Sequence, residues 1–328
     1  MHSSPIFAPD LMELSVVIPV FNEEENLNPL ISEIEAALNS LSKRYEIVVI
    51  DDGSQDNTFA VLAQIYQVNP HLRVVKLKRN FGQTAALAAG LAQATGKIVV
   101  MLDGDGQNDP ADIPALLAKL EEGYDIVCGW RYRRCDPFLR RRLPSMIANS
   151  LISWTTRVKL HDYGCTLKAM RKEIAKDLKL YGEMHRFIPA IAYERGAKIA
   201  EVKVNHRPRL RGKSKYGITR TVRVVLDLIT VKFLMSYSTR PSHIFGIIGI
   251  GSGVLGFLLG IYLTVQKLMY NESIGTRPLL LLAVMLIFVG FQFVTMGLLG
   301  EMLSRTYHES QDKAVFVVGE ILGERSCV

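Results

Sequence analysis

Two stretches near the C-terminus limit what this chain can fold into more than any other feature. Residues 244–265 carry no charged side chain, and neither do residues 278–300, where Gln292 and Thr295 are the notable polar groups. About 20 apolar residues in a helix cross the hydrocarbon core of a bilayer. Two buried core helices of this length would need a large surrounding protein, which a chain of 328 residues does not supply. The segment 266–277 is short, so the spans predict a hairpin with both termini on one side. Lys232, Arg240, Arg305 and Lys313 flank it, against Lys267 and Arg277 in the loop. That bias places the termini on the cytosolic face. Gly249-x-x-x-Gly253 and Gly256-x-x-x-Gly260 in the first span suit close helix packing and predict a homo-oligomer.

Upstream, the apolar pattern changes period. Strand-like runs at 14–20, 45–50, 72–77, 98–102 and 125–129 alternate with helical stretches at 27–41, 58–68, 84–94 and 109–120. This alternation predicts an α/β domain with a doubly wound, mostly parallel sheet, followed by the transmembrane hairpin. Asn22 is expected to cap the first helix, with acidic residues in its first turn. The predicted layout is a leader (1–12), the α/β domain (13–219), a juxtamembrane segment (220–242), the spans (243–300) and a tail (301–328). The segment 221–237 reads either as an interfacial helix on the membrane or as an amphipathic helix packed on the α/β domain. The tail turns apolar again at 314–318, consistent either with an added strand or with disorder. The N-terminus lacks the basic n-region of a cleavable signal peptide.

Three turns concentrate the chemistry. The run 98–102 stops at Asp103-Gly104-Asp105-Gly106-Gln107, which brings two carboxylates and an amide oxygen to the carboxyl end of a strand. Open α/β sheets place their ligands there. Such oxygen donors suit Mg²⁺ or Mn²⁺ shared with substrate phosphates, and the same residues would equally make an ordinary polar turn. The second strand ends in Asp51-Asp52-Gly53-Ser54, where a carboxylate could accept from a ribose hydroxyl or a base edge. Helix capping accounts for Asp56 and Ser54. The first strand runs into Phe21-Asn22-Glu23. Neither the glycine-rich dinucleotide fingerprint nor the Gly-x-x-x-x-Gly-Lys phosphate loop is present, which disfavours NAD and leaves phosphates to a metal and basic side chains.

The net charge of +7 and pI of about 9.2 call for an anionic partner. Arg131, Arg133, Arg134, Arg140, Arg141 and Arg142 form one basic block; Arg207, Arg209, Arg211, Lys213, Lys215, Arg220 and Arg223 form another. Together they hold a third of the 39 lysines and arginines. Arginine forks match phosphate oxygens, and basic blocks near a membrane also touch anionic head groups; both readings apply here. A nucleic-acid partner would explain the charge but not the hairpin. The four cysteines show no Cys-x-x-Cys spacing and read as reduced thiols.

Six motifs in order then resemble the family 2 inverting glycosyltransferases with a GT-A fold. They are Val-Ile-Pro-Val-Phe-Asn-Glu (17–23), Val-Ile-Asp-Asp-Gly-Ser-Gln-Asp-Asn-Thr (49–58), Asn-Phe-Gly-Gln (80–83), Asp-Gly-Asp-Gly-Gln (103–107), Gly-Trp-Arg (129–131) and Arg-Pro-Arg-Leu-Arg-Gly-Lys-Ser-Lys-Tyr (207–216). Within that family the chain looks like the polyprenyl-phosphate glycosyltransferases, of the bactoprenol glucosyltransferase and dolichol-phosphate mannosyltransferase types. The resemblance implies that Pro19, Phe21, Glu23, Ile50 and Asp52, with Asp51 adjacent, hold the nucleoside of the donor. It implies that Asp103, Asp105 and Gln107 hold Mg²⁺ or Mn²⁺ and the diphosphate. Arg131, Arg141 and Ser145 would receive the lipid phosphate, Arg211 and Lys215 would close over the phosphates, and Asp162 would lie near the sugar. Asp105, Asp162 and Arg131 are thus the catalytic candidates. The Gln-x-x-Arg-Trp motif of processive members is absent, so one sugar is transferred per cycle. Two spans favour glucose from UDP-glucose onto undecaprenyl phosphate; mannose or a modified arabinose are alternatives. The implied setting is a bacterial inner membrane with the catalytic domain in the cytosol. The rivals are nucleotidyl transfer, which also uses paired aspartates and a metal, and a non-catalytic membrane scaffold.

Overall fold

The computed structural model describes residues 12–132, 153, 158–178, 180, 184–208, 241–270, 273, 275, 277–310 and 316–323. Arg141, Ser145, Arg211 and Lys215 lie outside the described residues, as do the leader 1–11 and the segment 220–240. The chain divides into two compact units, Met1–Leu228 with Ala314–Val328, and Ile229–Lys313.

The first unit is built on an eight-stranded sheet. In chain order its elements are β1 (Leu14–Val20), α1 (Leu27–Asn39), β2 (Tyr45–Asp51), α2 (Thr58–Val68), β3 (Leu72–Leu77), α3 (Gln83–Gln93), β4 (Ile98–Met101) and α4 (Ile113–Glu121). There follow β5 (Ile126–Arg131), β6 (Lys168–Arg171), α5 (Lys172–Asp177), α6 (Ile188–Glu194) and β7 (Ile199–Val204). The strand order is β7-β5-β6-β4-β1-β2-β3, completed by β8 (Val318–Leu322) at the far edge. β4, β1, β2 and β3 are parallel, in registers such as Val17↔Met101 and Val17↔Val48. β6 inserts antiparallel between β4 and β5, and β5 pairs in parallel with β7. Strands β1 to β5 and β7 therefore all finish at one edge of the sheet. This is the expected mostly parallel α/β architecture, with β6 and β8 as its two antiparallel members.

β-branched side chains on both faces explain why these strands sit in the interior. Val16, Val49 and Val100 pack under Leu30, Ile34, Leu62, Leu116 and Leu120 of α1, α2 and α4. On the other face α3 lies close because Gly90 has no side chain; a Cβ there would stand 2.3 Å from Val17 Cγ1. Fully burying one such aliphatic side chain stabilises by roughly 1.5–3 kcal/mol. The tail adds β8 to the edge strand β3 (Val75↔Ile321, Lys76↔Glu320), and Lys78 N donates to Val317 O at 3.1 Å. Asn22 does not cap α1: it takes a positive φ of 54°, and its Oδ1 accepts from Gln55 N. Asn26 stands at the N-cap instead, and no acidic residue occupies the first turn of α1.

The second unit is a pair of helices, α7 (Pro241–Tyr270) and α8 (Pro278–Ser310), both longer than the apolar stretches that announce them. They meet through glycine. A Cβ at Gly249 would fall 2.6 Å from Gly290 O, and one at Gly256 would fall 2.7 Å from Ala283 O. Gly249 and Gly256 thus serve the contact between the two helices, whereas a Cβ added at Gly260 would meet nothing within 4 Å. Leu263 and Ala283 are buried between the helices, whereas Ile247, Phe288 and Phe291 point outward, 75%, 66% and 69% exposed.

Candidate active site

The acidic turn leaves β4 with Leu102 N still bonded to Val17 O, so Asp103 emerges beside the end of β1. Gly104 presses on that end: a Cβ would meet Val20 Cγ1 at 2.6 Å, so no larger residue fits. Asp105 Oδ1 accepts from Gln107 N at 3.1 Å and closes the turn. Asp103 Oδ1 accepts from Gln83 Nε2 at 2.8 Å, from the first residue of α3. Burial, and then the charge of Asp105, push the Asp103 carboxyl up to about 6, while a Thr166 hydrogen bond and the charges of Arg131 and Lys168 pull the other way.

Arg131 ends β5 and is held in a fork. Its Nε donates to Asp162 Oδ2 at 2.6 Å and its Nη2 to Asp162 Oδ1 at 2.9 Å. Asp162 is 3% exposed and also accepts from Gly164 N at 3.1 Å. Burial works against the Arg131 charge, but the hydrogen bonds and charge of Asp162 outweigh it and raise the guanidinium above its ordinary range. The structure therefore brings Asp103, Asp105, Arg131 and Asp162 into one electrostatic group. Lys168, a buried lysine whose Nζ bonds Cys165 O, completes it. Cys128 and Cys165 are free and buried; burial pushes their thiols up to about 12 and about 11, well away from a reactive thiolate.

The residues expected around a nucleoside occupy the neighbouring strand ends, and the structure sorts them. Pro19 and Ile50 are buried in β1 and β2, so the edge they offer a ligand is backbone. Phe21 and Glu23 are half-buried; Glu23 Oε2 accepts from Asn26 Nδ2 at 2.6 Å. Asp52 grips the 80–83 loop, its Oδ1 accepting from Phe81 N at 2.7 Å and its Oδ2 from Gly82 N at 2.9 Å. Burial raises its carboxyl against those two amides, with Asp51 adding to the rise. Asp51 Oδ1 accepts from Ser54 N, and its buried Oδ2 has no protein hydrogen bond.

The root of the second basic block is fastened to the acidic turn. Arg207 N donates to Gln107 O at 2.9 Å, and its guanidinium pairs with Asp109 and Glu33 at 2.8 and 2.6 Å. Asn205 donates to Asp109 and Asp112. Sequence reasoning missed Gln83, Lys168 and Glu201, and also His185, whose Nδ1 lies 2.8 Å from Thr84 Oγ1. Only Gln83 carried a signal, as the last residue of the Asn-Phe-Gly-Gln motif.

Comparison with known proteins decides the family. Residues 15–179 match glycosyl transferase family 2. The chain belongs to that family. A dodecaprenyl-phosphate galacturonate synthase of Rhizobium johnstonii is 46% identical over 320 residues, covering 96% of this chain and 94% of the relative. An undecaprenyl-phosphate 4-deoxy-4-formamido-L-arabinose transferase of Shewanella sediminis is 39% identical over 311 residues, covering 94% and 92%. The fold of this family 2 glycosyltransferase is similar to that of glucosyl-3-phosphoglycerate synthase from Mycobacterium tuberculosis, solved with Mn²⁺, UDP and phosphoglyceric acid. The TM-score is 0.54 at 22% identity, over 67% of this chain and 78% of that one. In this family 2 enzyme the acidic turn and the Arg131 fork stand at the carboxyl edge of that shared sheet.

Proposed function

We propose that this glycosyltransferase moves one sugar from a nucleoside diphosphate donor to the phosphate of a polyprenyl phosphate, inverting the anomeric carbon. One observation carries the reading. The paired carboxylates of Asp103 and Asp105 stand with Arg131 at a sheet edge, in a chain that also has two lipid-length helices. Nucleotidyl transfer would use the carboxylates but gives no reason for the helices. The relatives named for polyprenyl phosphates, aligned over nearly the whole chain, support the same acceptor.

For the sugar, the two-span layout favoured glucose. Relatives named for galacturonate and for a modified arabinose share nearly the full length, so the layout does not select the donor. We place a uronic acid from a UDP-uronate first and UDP-glucose second.

The residues present fit a divalent cation. Among the described residues no three His, Cys, Asp or Glu side chains gather as a self-sufficient cage. Two carboxylates and the Gln107 oxygen match an ion that takes its remaining ligands from a diphosphate, as Mg²⁺ and Mn²⁺ do. Burial and then the charge of Asp105 lift the Asp103 carboxyl, and a bound cation would favour its charged form. When bound, it would neutralise charge on the departing nucleoside diphosphate.

The protein's own groups manage the meeting of two anions. A phosphate monoester has its second pKa near about 6, so the acceptor is already nucleophilic at neutral pH and needs no strong base. Asp162 takes Nε and Nη2 of Arg131, and among the described residues no hydrogen bond uses Nη1, the corner that would meet a phosphate oxygen. That geometry supports Asp162 as the group that orients Arg131, rather than as a base. The family resemblance assigns Arg141 and Ser145 to the acceptor phosphate and Arg211 and Lys215 to the donor phosphates; all four lie outside the described residues. The ends of β1 and β2 hold the nucleoside through Phe21, Glu23, Asp51, Asp52 and the backbone of Pro19 and Ile50. Held in line, the acceptor displaces the nucleoside diphosphate in one step.

We place the enzyme as a two-span protein of a bacterial inner membrane with both termini in the cytosol. The return of the chain to the first unit as β8 supports that arrangement. The test is a panel of UDP-galacturonate, UDP-glucuronate, UDP-glucose and GDP-mannose with undecaprenyl phosphate in detergent. Labelled lipid with release of nucleoside diphosphate is expected; pyrophosphate release, or no lipid product from any donor, would contradict the reading.

A further inference from the structure

The loop carrying Asp162 is itself held from the edge strand β7. Glu201, whose side chain is 12% exposed, reaches over the loop from that strand. Its Oε1 accepts from His161 N at 2.9 Å and from Asp162 N at 3.1 Å. Its Oε2 accepts from His161 N at 3.0 Å and lies 2.9 Å from His161 Nδ1. The His161 ring lies on Trp130, with centroids 4.0 Å apart and planes 14° apart, and Trp130 precedes Arg131 on β5. Lys203, two residues along β7, covers the Tyr132 ring at 4.4 Å. An acid on the outermost strand therefore grips the same peptide whose side chain grips Arg131.

We propose that Glu201 is a positioning residue for sugar transfer. By holding the 161–162 peptide it fixes Asp162, and through Asp162 it fixes the Arg131 guanidinium whose charge acts on Asp103. The inference rests on the function proposed above. Hydrogen bonds from backbone N–H groups to a carboxylate are about twice as strong as neutral ones. Without them the loop relaxes, and a shift of about 1 Å in a group that aligns reactants costs about a hundredfold in rate. The nucleoside end of the donor site, at the ends of β1 and β2, shares none of these bonds, so the loss falls mainly on kcat and only weakly on donor KM.

The test uses the full chain in detergent with undecaprenyl phosphate and the donor it accepts, and compares wild type, E201A, E201Q, D162N and the double variant E201A/D162N. E201A should lower kcat about 10- to 100-fold with donor KM within about threefold of wild type. E201Q keeps one acceptor oxygen for the peptide and should recover part of the loss. Because Glu201 acts through Asp162, the double variant should be no slower than D162N within about threefold. Three results would each overturn the inference alone, given transfer by the wild type. They are an unchanged kcat in E201A, an E201A loss repeated in full on the D162N background, and equal damage to kcat and donor KM with no recovery in E201Q. No lipid-linked sugar from the wild type would overturn the proposed function and this inference together.

Discussion

The sheet unit and the helix pair are made of the same apolar side chains and turn them in opposite directions. In the sheet unit Val16, Val17, Val48, Val49 and Val100 are all wholly buried, and the polar groups gather at one edge. In the helix pair Ile247, Phe257, Phe288 and Phe291 face outward, and the contact between the helices is made by Gly249, Gly256, Gly290 and Ala283. A sheet in water is held by removing aliphatic surface from solvent. Helices in lipid gain nothing by hiding leucine, and they associate by close backbone approach between small residues. The two units therefore fit the two solvents proposed for them, water and a bilayer, and each should fail under a different substitution.

The largest expected effect separates chemistry from both scaffolds. Asp105→Ala should reduce transfer by about a thousandfold or more, the scale seen when a main electrostatic stabiliser is removed. The sheet unit should stay folded, and the recovery of protein in the membrane fraction should not change. Loss of membrane recovery would break the separation.

Next come the glycines that permit close packing in each unit. Gly90→Val drives a side chain into Val17 and Ile50 and should destabilise the sheet unit by about 3 kcal/mol or more, read by urea or thermal unfolding. Gly256→Leu should disperse the helix pair, read as loss of monodisperse protein after detergent extraction. Gly260→Leu, whose Cβ would enter open space, should leave it intact. Equal behaviour of the two helix variants would contradict the packing described.

The solvent around the helices can be tested directly. Phe257→Asp places a charge on the outward face near the middle of the first apolar helix and should cost about 2.5–3.5 kcal/mol of insertion, read as the fraction integrated into membranes. If water bathed that face, the substitution would be neutral.

The smallest effect concerns Asp103. Its carboxyl is pushed up to about 6 in the folded chain, against about 3.9 for an unperturbed Asp. The folded state therefore binds the proton more tightly than the unfolded one. The cost to folding is complete above pH 6 and fades as the pH falls toward 4. In metal-free protein the difference in melting temperature between Asp103→Asn and wild type should be larger at pH 7.5 than at pH 5. A difference independent of pH would contradict the buried, charge-crowded setting of Asp103.

What was legible in the sequence follows from how local each signal is. β1, β2 and β4 are β-branched runs cut short by acid and glycine, so the strand and its acidic end are read together. The two long apolar helices are legible because an unbroken apolar length is itself a local signal, the one that a bilayer crossing demands. β6 is a short run, Lys-Ala-Met-Arg, with a buried lysine in its first position, and nothing local marks it as a strand between β4 and β5. β8 is a strand because it finds the open edge of β3, a long-range event. The pairing of Arg131 with Asp162 spans 31 residues, and that of Glu201 with the same loop spans 40; neither leaves a periodic trace. Asn22 fails as a helix cap because the turn after β1 bonds to the turn after β2, which a reading along one segment does not see.

The most direct measurement is transfer of radiolabelled sugar from the UDP-uronate and UDP-glucose donors to undecaprenyl phosphate by purified full-length protein, with Mg²⁺, with Mn²⁺ and with chelator. Label should enter the lipid phase with either ion, not with chelator, and with Asp105→Ala only at about a thousandth of the wild-type rate or less. Folded protein that makes no lipid-linked sugar, or that makes it undiminished in chelator, would contradict that expectation.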